Sequence, residues 1–179
     1  MHTYRFLESL ELASAIHAER DRCWRNAVLA MLHYPSLYQG GCYVEGWIVI
    51  PRETIIEVIE HGWTCLAKSQ EEPRVLDPSI VLREHSTSLV FYFPGLLVAC
   101  EQLCEQVQGQ MLPLVCHTVY GDDGMLHPGY KRAYDQACAQ ARELVAEKHV
   151  SEQAIKVSGR SGQHGATLVV LPQEEGQKG

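Results

Sequence analysis

Three short apolar runs stand close together between Tyr43 and Ser79: Tyr43-Val44-Glu45-Gly46-Trp47-Ile48-Val49-Ile50, Glu60-His61-Gly62-Trp63-Thr64-Cys65-Leu66-Ala67 and Arg74-Val75-Leu76-Asp77-Pro78-Ser79. Each is rich in β-branched or aromatic residues and bounded by Pro, Gly or charge, the pattern of a strand. Upstream the period changes. From Tyr4 to Ala18, Phe6, Leu7, Leu10 and Leu12 alternate with Glu8 and Glu11 as an amphipathic helix. A second helix is expected over Arg22 to His33, with Asp21 as its N-cap and Trp24, Ala27, Val28 and Met31 as one buried stripe.

Pro35 and Gly40-Gly41 mark the loop into the strands, and Lys68 to Pro73 is a polar turn. The stretch Pro51 to Ile59 reads either as a hairpin loop with a helical turn or as an extension of the strand that carries His61. Ser88 to Phe93 is continuously apolar, a strand covered on both faces, and Pro94-Gly95 is expected to end it. A helix then runs from Leu96 to Val107, a short apolar segment from Leu112 to Tyr120, and an acidic glycine loop from Gly121 to Gly124. The last helix spans Tyr130 to Lys148, with Tyr134, Cys138, Ala141 and Val145 in register. These elements predict an α+β domain over residues 1–157, with N-terminal helices packed on an antiparallel sheet. Residues 158–179 form a flexible tail in which Ala166 to Leu171 can pair as an edge strand.

Composition narrows the function. The 179 residues are 46% apolar and 21% charged, close to the globular average. The formal net charge is −7, with 15 Lys+Arg against 22 Asp+Glu and no basic cluster, which argues against nucleic-acid binding. No apolar run approaches the ~18 residues of a membrane span, so no membrane partner is expected. Seven cysteines, an odd number, stand behind an N-terminus with no secretory pattern. They read as reduced thiols in a cytoplasmic protein.

The candidate chemistry is a thiol, an imidazole and a carboxylate. Cys23 falls in the first turn of the second helix, where free N–H groups and the helix dipole favour a thiolate. His61 opens the second apolar run, and Asp77 closes the third, ahead of Pro78. Taken singly, each has a plain structural reading as core thiol, satisfied strand histidine or turn aspartate. The joint spacing favours chemistry, because two neighbouring strands then carry base and orienter side by side. Asn26 and Tyr43 are candidates for oxyanion or orienting contacts. Glu45 points either into a cleft or to solvent, and Trp63 and Trp47 either wall the site or fill the core. Cys100 and Cys104 lie four apart but lack a matching pair of ligands, so no metal and no cofactor is expected. His117 and His127 flank the acidic loop and can border a substrate.

The same stretches resemble the transglutaminase-like branch of the papain-like superfamily. That branch has a nucleophilic Cys at a helix N-terminus, a Val-x-Gly-aromatic strand, a strand opening His-Ala-Trp and one ending Asp-Pro-Thr or Asp-Pro-Ser. Here they are Cys23-Trp24, Val44-Glu45-Gly46-Trp47, His61-Gly62-Trp63 and Asp77-Pro78-Ser79, in that order. Gly62 replaces the alanine, and no match continues beyond residue 95. The resemblance implies a papain-like core and a Cys23-His61-Asp77 triad. The expected function is hydrolysis or acyl transfer at amide bonds of a peptide or protein substrate, through an acyl-enzyme. A cell-wall peptide hydrolase of NlpC/P60 type and a catalytically silent module that binds a protein partner are the alternatives.

Overall fold

The computed structural model describes residues 3–66, 74–83, 89–106, 113–147 and 154–158, with 104–106 and 154–158 defined through their backbone. Its centre is the antiparallel hairpin of β2 (Cys42–Pro51) and β3 (Ile55–Cys65), paired without interruption from Cys42↔Cys65 to Pro51↔Ile56. The Arg52 N–H donates to the Ile55 carbonyl at 2.8 Å and closes the turn. The ambiguous stretch before His61 is therefore strand, as its β-branched Ile55, Ile56, Val58 and Ile59 favour. Residues Ile56 to Cys65 are all buried because both faces of the hairpin are covered.

On one side Trp47, Val49, Ile56 and Val58 meet Tyr130, Ala133, Ala137, Ala141 and Leu144 of α6 (Pro128–Glu147). On the other, Val44, Ile48, Ile50, Ile59 and Trp63 pack with Ala13, Val75, Ile80 and Tyr92. At ~0.8 kcal/mol per buried methylene, these two layers supply most of the drive to form the sheet. Strand order is β1-β4-β3-β2-β5, with β1 (Thr3–Tyr4), β4 (Arg74–Leu76) and β5 (Phe91–Ala99). The four strands β4-β3-β2-β5 are antiparallel. β1 adds to β4 in parallel, and β6 (Ala154–Ser158) pairs in parallel with Ile55–Ile59 of β3. An α+β fold with helices packed on an antiparallel sheet is what the patterning predicts.

Several boundaries differ from expectation. Pro94-Gly95 does not end β5, which runs on to Ala99, so the helix expected from Leu96 begins only at Cys100 (α3, Cys100–Gln106). β5 is the sheet edge, where a proline costs no ladder bond, and the register slips between Glu45 and Gly46 to absorb the extra residue. A Cβ on Gly46 would stand 2.2 Å from the Phe93 carbonyl oxygen, so the bulge requires glycine there.

Helix α1 (Phe6–Ala15) starts later than expected, and Leu7 and Leu10 are exposed. Its inward residues are Ser9, Leu12, Ala13 and Ile16. Helix α2 (Cys23–His33) buries Trp24, Ala27, Val28 and Met31 as predicted. Asp21 is not its N-cap; Arg22 holds that position without a side-chain cap bond, while Asp21 has φ +58°. Two four-residue helices, α4 (His117–Tyr120) and α5 (Asp122–Met125), occupy the expected apolar segment and acidic loop. On α6 Cys138 and Ala141 are buried as expected, but the core face is centred on Tyr130, Ala133, Ala137 and Leu144, which leaves Tyr134 and Val145 half-buried at its margin. Lys68 to Pro73, Leu112 and Ala166 to Leu171 lie outside the described residues. Among the described residues no helix is long and apolar enough to cross a membrane.

Candidate active site

Strand alternation puts His61 and Trp63 on the opposite face of β3 from Glu60 and Gly62. β4 pairs Thr64↔Leu76 and Cys65↔Val75, so Asp77, the residue after the strand, arrives beside the histidine. His61 Nε2 lies 2.7 Å from Asp77 Oδ2, with the ring 4% exposed and the aspartate fully buried. Nδ1 is then the nitrogen left for a second partner. Cys23, the first residue of α2, stands near enough to the ring to help raise its pKa. Burial alone pulls the imidazole pKa down, but Asp77 and Cys23 outweigh it and push it up to about 10. His61 and Asp77 thus form a buried pair, and Cys23, also buried, lies near enough to affect the ring.

The aspartate is fixed on every side. Oδ2 also accepts the Tyr92 hydroxyl at 3.0 Å, and Oδ1 accepts the Ser79 and Ile80 N–H groups, each at 3.0 Å. Its own N–H donates to Ser9 Oγ at 3.0 Å. Pro78, with no N–H to offer, lets the chain turn so that the next two amides reach back to the carboxylate. Burial and the adjacent carboxylate push the Tyr92 phenol well up, so it remains a donor to Asp77. The Trp63 indole lies 19° from parallel to the imidazole with centroids 6.3 Å apart, and Tyr92 meets its edge at 5.2 Å. Trp63 therefore walls the ring.

Opposite Gly62, α2 sits unusually close. A Cβ at that position would be 2.6 Å from Trp24 Cδ1 and 3.2 Å from its Cα. The glycine where the resembling pattern has alanine is thus what lets the helix carry Cys23 against the strand of His61.

The remaining candidates have other work. Both Asn26 amide hydrogens are engaged, with the Glu19 carbonyl at 2.7 Å and Ser79 Oγ at 2.9 Å. Its Oδ1 accepts the Glu19 N–H at 3.1 Å. Asn26 ties α2 to the Asp77 turn and has no hydrogen left for an oxyanion. Tyr43 donates its hydroxyl to Glu45 Oε1 at 2.7 Å, and Glu45, fully buried, also accepts the Leu114 and Val115 N–H groups at 2.6 and 2.8 Å. Glu45 faces neither cleft nor solvent; it anchors the segment from Pro113 to Cys116. Burial raises its pKa, opposed by those donors.

Glu60 performs the same task one strand over. It accepts the Tyr130 hydroxyl at 2.6 Å, the Cys116 thiol at 3.1 Å, and the His117 and Thr118 N–H groups. Trp47 is core, between Tyr130 and Tyr134. His117 stands 3.5 Å from Asp122, and His127 Nδ1 accepts the Tyr130 N–H at 3.3 Å, both local contacts. Cys100 is buried, and among the described residues no cluster of three His, Cys, Asp or Glu is placed to hold a metal.

Sequence reasoning missed Tyr92 and Ser9. A tyrosine inside an apolar strand carries no signal of its own. Ser9 does, since the spacing Ser9, Leu12, Ala13, Ile16 marks a hydroxyl on the inward stripe of α1. No family model, no curated protein and no solved structure matches the chain.

Proposed function

We propose that the protein is a thiol hydrolase or acyltransferase acting on amide bonds, with Cys23 as nucleophile, His61 as its proton partner and Asp77 as orienter, on a papain-like, transglutaminase-like core. The observation that supports the reading is the buried imidazole bonded through Nε2 to a carboxylate, its pKa pushed up to about 10 by Asp77 and Cys23 against the effect of burial. A thiol beside the second ring nitrogen is what a nucleophile–base pair requires.

In the reaction the ring holds the proton that the sulfur gives up. The Cys23 sulfur attacks the amide carbonyl, forming a C–S bond and an oxyanion. The Cys23 N–H, in the first turn and without an intrahelical acceptor, donates to that oxyanion. Collapse breaks the C–N bond, and His61 passes its proton to the departing amine. A water molecule, losing a proton to His61, then cleaves the thioester and regenerates the thiol; an amine in its place gives transfer. Asp77 stabilises the imidazolium throughout. The six described cysteines are all free thiols.

A second reading, a silent module that binds a protein partner, draws support from the 7% exposure of Cys23, which leaves little of the sulfur open to a large substrate. Brief iodoacetamide treatment of the native protein at neutral pH, with mass-spectrometric mapping, separates the two. The hydrolase reading expects Cys23 to be modified at least about tenfold faster than the other thiols, and H61A to remove that advantage. Uniform labelling of all the cysteines sinks it.

A further inference from the structure

A cavity of about 460 Å³ opens beside the start of α2, lined by Arg20, Asp21, Arg52, Glu57, Ser79 and Arg83. It gathers three cations on a chain whose formal charge is −7. Its two acids do not cancel them. Arg52 Nε pairs with Glu57 Oε2 at 2.8 Å. Among the described residues Asp21 is the other carboxylate on the wall, and neither Arg20 nor Arg83 has an ion pair. Three arginines against two carboxylates leave an excess of one positive charge, which suits a monoanion better than a dianion such as phosphate.

The cavity adjoins the Cys23 cluster. Arg20 and Asp21 directly precede the Arg22–Cys23 helix start. Ser79 takes the Asn26 amide at 2.9 Å and gives its N–H to Asp77 at 3.0 Å. Glu57 lies on the same face of β3 as His61, four residues earlier, which is about 13 Å along an extended strand.

The geometry points to this cavity as a carboxylate-binding subsite for the substrate of Cys23, with Arg20 and Arg83 as the groups that take the anion. The substrate class is a short peptide that carries a carboxylate, either the main-chain terminus or an Asp or Glu side chain. This rests on the thiol-hydrolase reading for its catalytic meaning, but the binding itself does not require turnover.

The test uses the full chain with Cys23→Ala and rhodamine-labelled alanine tetrapeptides in three forms: free C-terminal carboxylate, C-terminal amide, and C-terminal amide with one glutamate. Fluorescence anisotropy should show the free-carboxylate or the glutamate form binding about tenfold or more tightly than the uncharged amide, and which of the two does so identifies the source of the anion. Arg20→Gln and Arg83→Gln, both at solvent-accessible positions, should each remove most of that preference without altering amide-peptide binding. Equal affinity for all three peptides, no measurable binding of any, a preference that survives both substitutions, or competition by inorganic phosphate far stronger than by acetate would each overturn the subsite. Loss of the preference with a hyper-reactive Cys23 in the native chain removes the subsite alone. A clear preference with an inert Cys23 removes the hydrolase and leaves a carboxylate-binding protein.

Discussion

Gly62→Ala tests whether the close seat of α2 on β3 sets the position of the nucleophile. The added methyl would stand 2.6 Å from Trp24 Cδ1 and 3.2 Å from Trp24 Cα. Carbon atoms rest about 3.5–4.0 Å apart, so the indole must retreat by about 1 Å, and the backbone contact means the helix start must follow. Trp24 is 2% exposed within a buried cluster that includes Ala27, Met31 and Tyr43, so the ring cannot simply rotate away. Overpacking of this kind costs about 1–3 kcal/mol. In a domain of this size each kcal/mol lowers Tm by about 2–4 °C. Because Cys23 adjoins Trp24, the sulfur moves with it, and a displacement near 1 Å lowers a positioned reaction by about 100-fold. Calorimetry and the rate of iodoacetamide modification at Cys23 read the two effects together. Adding Trp24→Leu, which frees space above residue 62, should recover part of the rate lost in Gly62→Ala, a coupling expected only between groups in contact. A Gly62→Ala protein with unchanged Tm and unchanged Cys23 reactivity would refute the reasoning.

Other consequences follow from the same contacts. Asp77→Ala leaves the His61 ring, the Tyr92 hydroxyl and two backbone N–H groups without their acceptor, so urea denaturation should register a loss of about 3–5 kcal/mol. Glu45→Ala strips the Leu114 and Val115 N–H groups and the Tyr43 hydroxyl of theirs. Amide exchange at 114 and 115 should accelerate at least about tenfold, while exchange at Ser79 and Ile80 stays slow. His61 has a folded pKa of about 10 against an ordinary value of 6.5, so the folded state binds its proton more tightly. Its contribution to stability is complete below pH 6.5 and is lost as pH rises through about 10. The difference in urea midpoint between the native chain and His61→Gln should therefore shrink from pH 6 to pH 10.5, and a difference that grows over that interval would contradict the assignment.

Much of this arrangement is legible in the sequence where period and punctuation agree. The stripe Trp24, Ala27, Val28, Met31 fixes the buried side of α2, and apolar runs with Asp77-Pro78 mark the His61 half of β3 and the end of β4, while Ile55 to Ile59 stays open between loop and strand. What escapes are choices made by tertiary context. Pro94-Gly95 has the local signature of a strand end, yet it is tolerated because β5 is an edge strand with a bulge opposite Gly46. Glu45 and Glu60 look like solvent-facing strand positions, but both are buried acceptors for a segment some 55–70 residues further along the chain. No pattern in β2 or β3 announces such distant N–H donors. Asn26, near Cys23 on the helix surface, reads as a site residue until its partners, Glu19 and Ser79, are known. The parallel strand Ala154–Ser158 was equally silent, since it completes the edge of β3 left open beyond β4.

The central claim is that one buried imidazole serves Cys23 and Asp77 at once. NMR titration of the His61 ring in the native chain and in Cys23→Ala measures this directly. The account predicts that His61 stays protonated well above neutrality, titrating near pH 10, and that removing the sulfur lowers its pKa while the Asp77 bond persists. A His61 that titrates identically in the two proteins would show that the thiol and the ring do not act on one another, and the proposed chemistry would fall with it.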